Sequence, residues 1–236
     1  MTGPVWIVAP TYNEAGNLEP LIAALREHVP DAHVLVVDDA SPDGTGDLAD
    51  AIAARDPAVE VLHRRGKAGL GLAYVNGFAH ALAAGAGYLV EMDADLSHDP
   101  ADVPRLIARA RAGADLVLGS RYVLGGGVED WDVLRRVISR AGSRYARTVL
   151  GVGVRDLTGG FKCFRAAALE AIDYETVRSE GYAFQVELTY RAVRNGFRVR
   201  EIPIVFRDRE VGRSKMSWRI ALEAVWRVPQ MRLHAR

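Results

Sequence analysis

The strongest constraint on the fold is a regular alternation in the first half of the chain. Short apolar runs at residues 5–9, 33–37, 59–63, 88–92 and 115–119 are separated by amphipathic stretches near 17–28, 45–55, 71–84 and 100–112. Unbroken apolar runs of that length suit strands buried on both faces, and strand–helix–strand repetition implies a mostly parallel sheet with right-handed crossovers. Asn17 is the expected N-cap of the first helix, and Pro100 suits the first turn of the fourth. The texture then changes. Gly125, Gly126 and Gly127 predict a flexible break, followed by a helical pattern over 131–150 and a Gly-rich turn at 158–160. A short strand at 161–165, a helix near 183–195 and strands at 197–202 and 204–207 split by Pro203 come next. A helical pattern closes the chain from residue 216. With no internal repeat and no linker, the expectation is one α/β domain.

Composition matters here for what it excludes. The 236 residues are 49% hydrophobic and 25% charged, enough for one substantial core and incompatible with disordered or collagen-like chains. Thirty basic residues balance thirty acidic ones, so no overall charge argues for nucleic acid. The single Cys163 excludes a disulfide framework or a cysteine zinc site and fits a reducing compartment. The N-terminus lacks the pattern of a signal peptide, and no run of about 18 apolar residues occurs. The expectation is a cytoplasmic protein, soluble or peripheral on a membrane.

In open α/β sheets ligands bind beyond the carboxyl ends of the strands. The first strand runs into Pro10-Thr11-Tyr12-Asn13-Glu14, the second into Asp38-Asp39-Ala40-Ser41-Pro42-Asp43-Gly44-Thr45, and the fourth into Asp93-Ala94-Asp95-Leu96-Ser97-His98-Asp99. Two carboxylates two residues apart at the end of a buried strand repel one another unless a cation or donor sits between them. Mg²⁺ or Mn²⁺, hard and oxygen-seeking, suits such a pair and takes its remaining ligands from phosphates and water. Helix capping and Asx-turns are the bland alternatives for each segment. No GxGxxG or P-loop follows the first strand. Of the histidines, His63, His80 and His98 are candidates for catalysis by residue type only; His80 reads as structural, and for His98, next to the acids, orienting a ligand is the lesser alternative to a structural role.

Together PTYNE, DDASPDGT, DADLSHDP and GSR resemble the family 2 glycosyltransferases with the GT-A fold, and more narrowly the polyprenol (dolichol) phosphate mannose synthases. The resemblance runs from about residue 5 to 217 and includes Gly119-Ser120-Arg121-Tyr122, Leu157-Thr158-Gly159-Gly160-Phe161, Glu180-Gly181-Tyr182 and Gly212-Arg213-Ser214-Lys215. It implies inverting transfer of mannose from GDP-mannose to a polyprenyl monophosphate. It would place Pro10, Tyr12, Glu14, Val37 and Asp39 on the nucleoside, and Asp93 and Asp95, with the Ala94 backbone, on a divalent cation and the sugar diphosphate. Ser97 stands where archaeal relatives carry Gln. Asp95, Arg121, Arg209 and Lys215 would serve catalysis, and Arg121, Arg135 and Ser139 would hold the acceptor phosphate. Residues 5–122 then form a nucleotide-sugar half, 123–215 an acceptor half and 216–236 an amphipathic C-terminal segment. A UDP-sugar donor on the same fold, or a non-catalytic adaptor, are the rival readings, and the sequence names no partner subunit.

Two further expectations concern surfaces. From Leu134 to Leu150 the chain carries five arginines and no acid, with Arg136, Arg140, Arg144 and Arg147 on one helical stripe beside Leu134, Val137, Ile138, Ala141, Tyr145 and Val149. Trp218, Leu222, Val225 and Trp226 recur at helical spacing up to Pro229. Basic amphipathic helices with Trp lie in the interface of anionic bilayers, which predicts peripheral binding at the cytoplasmic face. The residues Arg207, Arg209, Arg213 and Lys215 alone read as a solvated surface loop; the resemblance implies instead a mobile basic loop that closes over the diphosphate.

Overall fold

The computed structural model describes residues 3–177, 179–208 and 218–234, with side chains described for 225–233 of the last segment. The alternating half folds as β1 (Val5–Thr11), α1 (Ala15–His28), β2 (His33–Asp38), α2 (Thr45–Ala53), β3 (Val59–His63), α3 (Leu70–Ala83), β4 (Tyr88–Glu91), α4 (Val103–Arg111) and β5 (Leu116–Ser120). A short β6 (Gly127–Val128) leads to α5 (Val133–Leu150), β7 (Lys162–Arg165), α6 (Ala166–Ala171), α7 (Gly181–Arg194), β8 (Val199–Pro203), β9 (Val205–Phe206) and α8 (Trp218–His234).

Seven strands form one sheet in the order β3-β2-β1-β4-β7-β5-β8. All neighbours pair in parallel except β7, which enters antiparallel between β4 and β5. β1, β2, β4 and β5 therefore all end on the same edge. Alternate residues of each strand feed two cores. Trp6, Val8, Leu35 and Val37 pack with α3 and α7, while Val5, Ile7, Ala9, Val34 and Val36 pack with α1 and α4. Gly77 lets α3 lie close on β1, since a Cβ there would come 2.4 Å from the Val8 side chain.

Several expectations give way to longer-range contacts. Asn17 is not the cap of α1. The N-cap is Glu14, three residues earlier, because Leu18 N–H already bonds the Glu14 carbonyl at 3.0 Å, and the buried Asn17 amide donates to Glu14 Oε2 at 2.8 Å. Pro100 does open a turn, a single 3₁₀ turn capped by Asp99, which accepts from Ala101 N–H at 2.9 Å. The glycine break ends in order, as Gly127 begins β6 and pairs with β9 in a separate two-stranded ribbon. The two strands expected around Pro203 are present, with Pro203 as the last residue of β8 and Ile204 separating it from β9. Trp131 lies outside α5, whose cap is Asp132, accepting from Arg135 N–H at 2.8 Å.

Pro229 does not end α8. Proline leaves the carbonyl four residues back without its helical donor. That carbonyl belongs to Val225, and the Tyr145 hydroxyl of α5 donates to it at 2.8 Å. Arg232 donates to the Val149 carbonyl at 2.5 Å, so α8 is pinned along α5 at two points.

Candidate active site

The loops after β1 and β2 are joined by side-chain oxygens. Asn13 N–H donates to Ser41 Oγ at 3.0 Å, Glu14 N–H to Thr45 Oγ1 at 2.9 Å and Ala15 N–H to Asp43 Oδ2 at 3.2 Å. Asn13 takes φ 58°, a left-handed turn that asparagine tolerates. Asp38 is a structural hub, accepting from the Thr11 hydroxyl at 3.0 Å and from Ser41 N–H at 3.0 Å. Asp39 is buried and paired with Arg64. Lys67 sits 4.2 Å from the centroid of the Tyr12 ring. Pro10, Tyr12, Glu14, Val37 and Asp39 thus lie at the carboxyl ends of β1 and β2 or in the loops that follow them, with Val37 fully buried in the core.

Beside these loops, the loop after β4 carries the acid pair. Asp93 accepts from the buried Tyr74 hydroxyl at 3.2 Å, and Tyr74 is held well above the usual phenol range by burial and by Asp93. Leu96 takes φ 60°, turning the chain so that Ser97 folds back on Asp95. The Ser97 backbone N–H donates to Asp95 Oδ1 at 3.1 Å and its hydroxyl to the same oxygen at 2.5 Å. Position 97 therefore orients the carboxylate. Gly160 borders the pair, and a Cβ there would come 3.7 Å from Asp93 Oδ2 and 3.3 Å from Gln185 Nε2.

Beneath the acids lies a charge pair with no access to solvent. Glu91 on β4 and Lys162 on β7 are register partners, 3.7 Å apart and both fully buried. Lys162 Nζ donates to the Gln185 carbonyl at 2.9 Å. Burial pushes the Glu91 carboxyl up to about 7 against the pull of Lys162.

Arg121, after β5, is gripped rather than exposed. Its Nε and Nη2 donate to Asp156 Oδ2 and Oδ1 at 2.8 and 2.7 Å, its backbone N–H to Oδ2 at 2.9 Å, and Nη2 also to Thr158 Oγ1 at 3.0 Å. The rings of Tyr122, Trp131 and Phe206 stand 5.2, 5.6 and 5.6 Å from its guanidinium carbon. Burial alone lowers the Arg121 pKa, but Asp156 outweighs it and raises the value. Arg135 lies 4.3 Å over Trp131 and donates to Asp208 at 2.6 Å. Ser139 accepts from the Tyr122 hydroxyl at 2.6 Å.

His98 is a buried ring stacked on Phe161 at 4.9 Å and edge-on to Phe206. Burial lowers its pKa to about 4, so it is neutral at physiological pH. His80 pairs with Glu60 at 2.8 Å behind the sheet, a structural position. Arg207 pairs with Glu129 at 3.1 Å, while Arg209, Arg213 and Lys215 lie outside the described residues.

Thr158 entered from the sequence only as part of the Leu157–Phe161 motif, with no role, and Asp156 and the Trp131–Phe206 aromatic wall were not singled out. Nor was Tyr182, which lies between the two halves. Burial raises its pKa, Arg121 and Arg135 oppose that, and Asp93 adds to it. The Glu180-Gly181-Tyr182 segment was the available signal.

The chain is similar to several known proteins. The model of the family described as Glycosyl transferase family 2 matches residues 6–173. A polyprenol monophosphomannose synthase of Mycolicibacterium smegmatis is 49% identical over 231 residues, covering 98% of this chain and 87% of that protein. An undecaprenyl-phosphate mannosyltransferase of Micrococcus luteus is 52% identical over 232 residues, covering 98% and 95%. Among solved structures, glucosyl-3-phosphoglycerate synthase from Mycobacterium tuberculosis superposes with a TM-score of 0.70 at 16% identity, over 97% of this chain and 80% of that one. A mannosyltransferase from Pyrobaculum calidifontis in complex with GDP-Man and Mn²⁺ gives 0.65 at 20% identity, over 94% and 61%. At such identities the solved structures speak for the fold alone.

Proposed function

We propose that this chain, which belongs to glycosyltransferase family 2 and has the GT-A fold, moves mannose from GDP-mannose to a polyprenyl monophosphate with inversion. The observation that carries this reading is 49% and 52% identity, over 98% of the chain, with two proteins named for mannosyl transfer to such lipids.

In this reading the joined β1 and β2 loops hold the nucleoside among Pro10, Tyr12, Glu14, Val37 and Asp39. Asp93 and Asp95, with the Ala94 backbone, hold a divalent cation and the diphosphate. Their donor set fits a hard cation: two carboxylates lie at one strand end, and no cluster of three His, Cys, Asp or Glu ligands exists among the described residues. Diphosphate oxygens and water then complete the shell, an arrangement that suits Mg²⁺ and Mn²⁺ alike. Such an ion supplies positive charge to the departing GDP. Arg209 and Lys215 are proposed as further donors to the diphosphate or sugar.

The acceptor phosphate goes to Arg121, Arg135 and Ser139. Arg135 and Ser139 now hold Asp208 and the Tyr122 hydroxyl, partners that an entering phosphate replaces. Arg121 stays locked to Asp156, presenting a fixed charge. A lipid monophosphate has a second pKa of about 6 and attacks as an anion, so no side chain has to remove a proton. Residues 5–122 accordingly serve the donor and 123–215 the acceptor.

The same reading puts the protein on the cytoplasmic face of a membrane, where its acceptor lies. No helix among the described residues is long and apolar enough to cross a bilayer. On α5, Val133 (75% exposed), Leu134 (69%), Val137 and Ile138 (56% each) face solvent, as does Trp226 of α8. An interfacial helix buries such residues among lipid headgroups, with 216–236 alongside.

Thermal-shift titration with GDP, UDP and their sugars, with and without Mn²⁺, tests the donor. Metal-dependent stabilisation by GDP-mannose above any UDP-sugar is expected, followed by transfer to polyprenyl phosphate. Preference for a UDP-sugar would overturn the mannose donor. Flotation with anionic liposomes at low salt tests the membrane, and no association there would sink that part.

A further inference from the structure

A basic cleft opens beside the acceptor groups, with Arg121 and Tyr122 in its wall, and extends to residues that have no part in the chemistry proposed above. It is a cavity of about 570 Å³ between α5, the loop after β5 and the loop after α5. Arg140, Arg144, Arg147 and Arg155 line it with Thr148, and no carboxylate does. The chain otherwise pairs its arginines widely: ten others make ion pairs with Asp or Glu. None of these four makes an ion pair among the described residues. Arg140 has only the Tyr122 ring, 5.8 Å away. The nearby Glu201 is turned from the cleft, accepting from the backbone N–H groups of Arg155 and Asp156 at 2.9 Å each.

Four guanidiniums around one cavity, without a carboxylate partner among the described residues, repel one another unless an anion lies between them. Planar guanidinium forks fit phosphate oxygens two at a time. The surface next to the cleft narrows the choice of anion. Val133, Val137, Arg140 and Arg144 stand on one face of α5, at spacings of four, three and four, so an apolar patch runs directly into the basic one. On the facing rim Val123 lines the cleft, and its neighbour Leu124 is 95% exposed. A free phosphate would neutralise the arginines and leave Leu124 and Val137 in water. An amphiphile covers both.

We propose that the Arg140, Arg144, Arg147 and Arg155 side of this cleft is a binding site for the headgroup phosphate of an anionic membrane phospholipid, adjoining the acceptor subsite at Arg121, Arg135 and Ser139. The inference rests on the membrane reading of α5 but not on mannosyl transfer. The site would seat the enzyme in a fixed orientation on the bilayer, with the acceptor groups next to the lipid surface. A built site and diffuse charge attraction differ in their response to a change that keeps the charge. Diffuse attraction depends on charge alone, whereas a phosphate held by forks needs the guanidinium shape.

The experiment is co-sedimentation of the full chain with phosphatidylcholine vesicles containing phosphatidylglycerol, without nucleotide sugar or polyprenyl phosphate. All four arginines are exposed, so Arg147→Lys and Arg155→Lys leave the fold intact. Each is expected to weaken binding several-fold, and Arg155→Gln by more than the roughly fivefold that loss of one surface charge gives. Lysine variants that bind like the wild type would overturn the cleft while leaving the membrane reading standing. If the wild type itself ignores these vesicles, both fall together. A third arm adds inorganic phosphate at matched ionic strength. Release of the wild type from vesicles by phosphate more than by chloride is expected, since both phosphates compete for the same forks; thermal stabilisation by phosphate that Arg155→Lys abolishes, with vesicle binding unchanged in that variant, would assign the cleft to a free anion and overturn the lipid. Mannosyl transfer to a short-chain acceptor in detergent, unchanged in Arg155→Lys, separates this site from the proposed reaction.

Discussion

The Arg121–Asp156 pair offers the sharpest test of how the acceptor side is built. In Asp156→Asn the shape is kept and the charge is lost. Arg121 is 5% exposed and Asp156 is fully buried, and the carboxylate accepts three N–H bonds from Arg121 at 2.7–2.9 Å. The asparagine amide would turn an N–H₂ group toward those donors. Breaking a buried pair by removing one partner costs about 3–5 kcal/mol, because the other charge stays behind without compensation. In a domain of this size each kcal/mol lowers Tm by about 2–4 °C, so a fall of about 6–20 °C is expected by calorimetry or circular dichroism.

The pH dependence has a definite sign. Burial alone would raise the Asp156 pKa, but the charge and hydrogen bonds of Arg121 outweigh it and hold the carboxyl below its usual range. A depressed carboxylate contributes stability above its unfolded pKa of about 3.9, and that contribution disappears as pH falls through the folded value. The deficit of Asp156→Asn should therefore be full at neutral pH and shrink below about pH 4. Replacing both partners, as Arg121→Met with Asp156→Leu, removes the stranded charge and should recover much of the lost stability while transfer stays abolished. The reasoning fails if Asp156→Asn melts within about 2 °C of the wild type, or if the double variant is no more stable than the single one.

Asp95→Asn should lower transfer by orders of magnitude in a folded protein and abolish Mn²⁺ binding read by titration calorimetry with GDP; near-normal transfer, or full activity in excess EDTA, contradicts it. Ser97→Ala removes the hydroxyl that donates to Asp95 and should weaken metal affinity about tenfold to a hundredfold, so an unchanged Mn²⁺ titration would show that Ser97 does not orient the ligand. Arg135→Lys keeps the charge but not the fork, and should raise KM for polyprenyl phosphate with GDP-mannose affinity unchanged. Asp208→Asn should lower that KM, by up to about fivefold, because it frees Arg135 from a pair whose members are each 32% exposed and which is worth at most about 1 kcal/mol; a KM that rises instead rules out exchange of carboxylate for phosphate.

What could be read from the sequence was local in the chain. Asp38 with Asp39, and Asp93 with Asp95, sit beside the apolar runs that end in them, so strand pattern and chemistry were visible in one window. The supports of the site come from distant segments. Asp156 stands 35 positions after Arg121, and nothing in either neighbourhood marks them as partners. Glu91 and Lys162 face each other only because β7 runs antiparallel between β4 and β5, and an apolar run at 161–165 carries no direction. The failed expectations have the same origin. The cap rule put Asn17 before the first apolar residue, yet the tie from Glu14 N–H to Thr45, 31 positions away, lets the helix begin earlier. Proline ordinarily interrupts a helix, yet the last helix continues through Pro229 because Tyr145, 80 positions from Val225, supplies the donor that Pro229 lacks. Patterns of period two and 3.6 report what each residue does within its own element. They are silent on which oxygen from another element will satisfy it, and in this protein those long-range partners decide how Arg121 and the end of α8 are held.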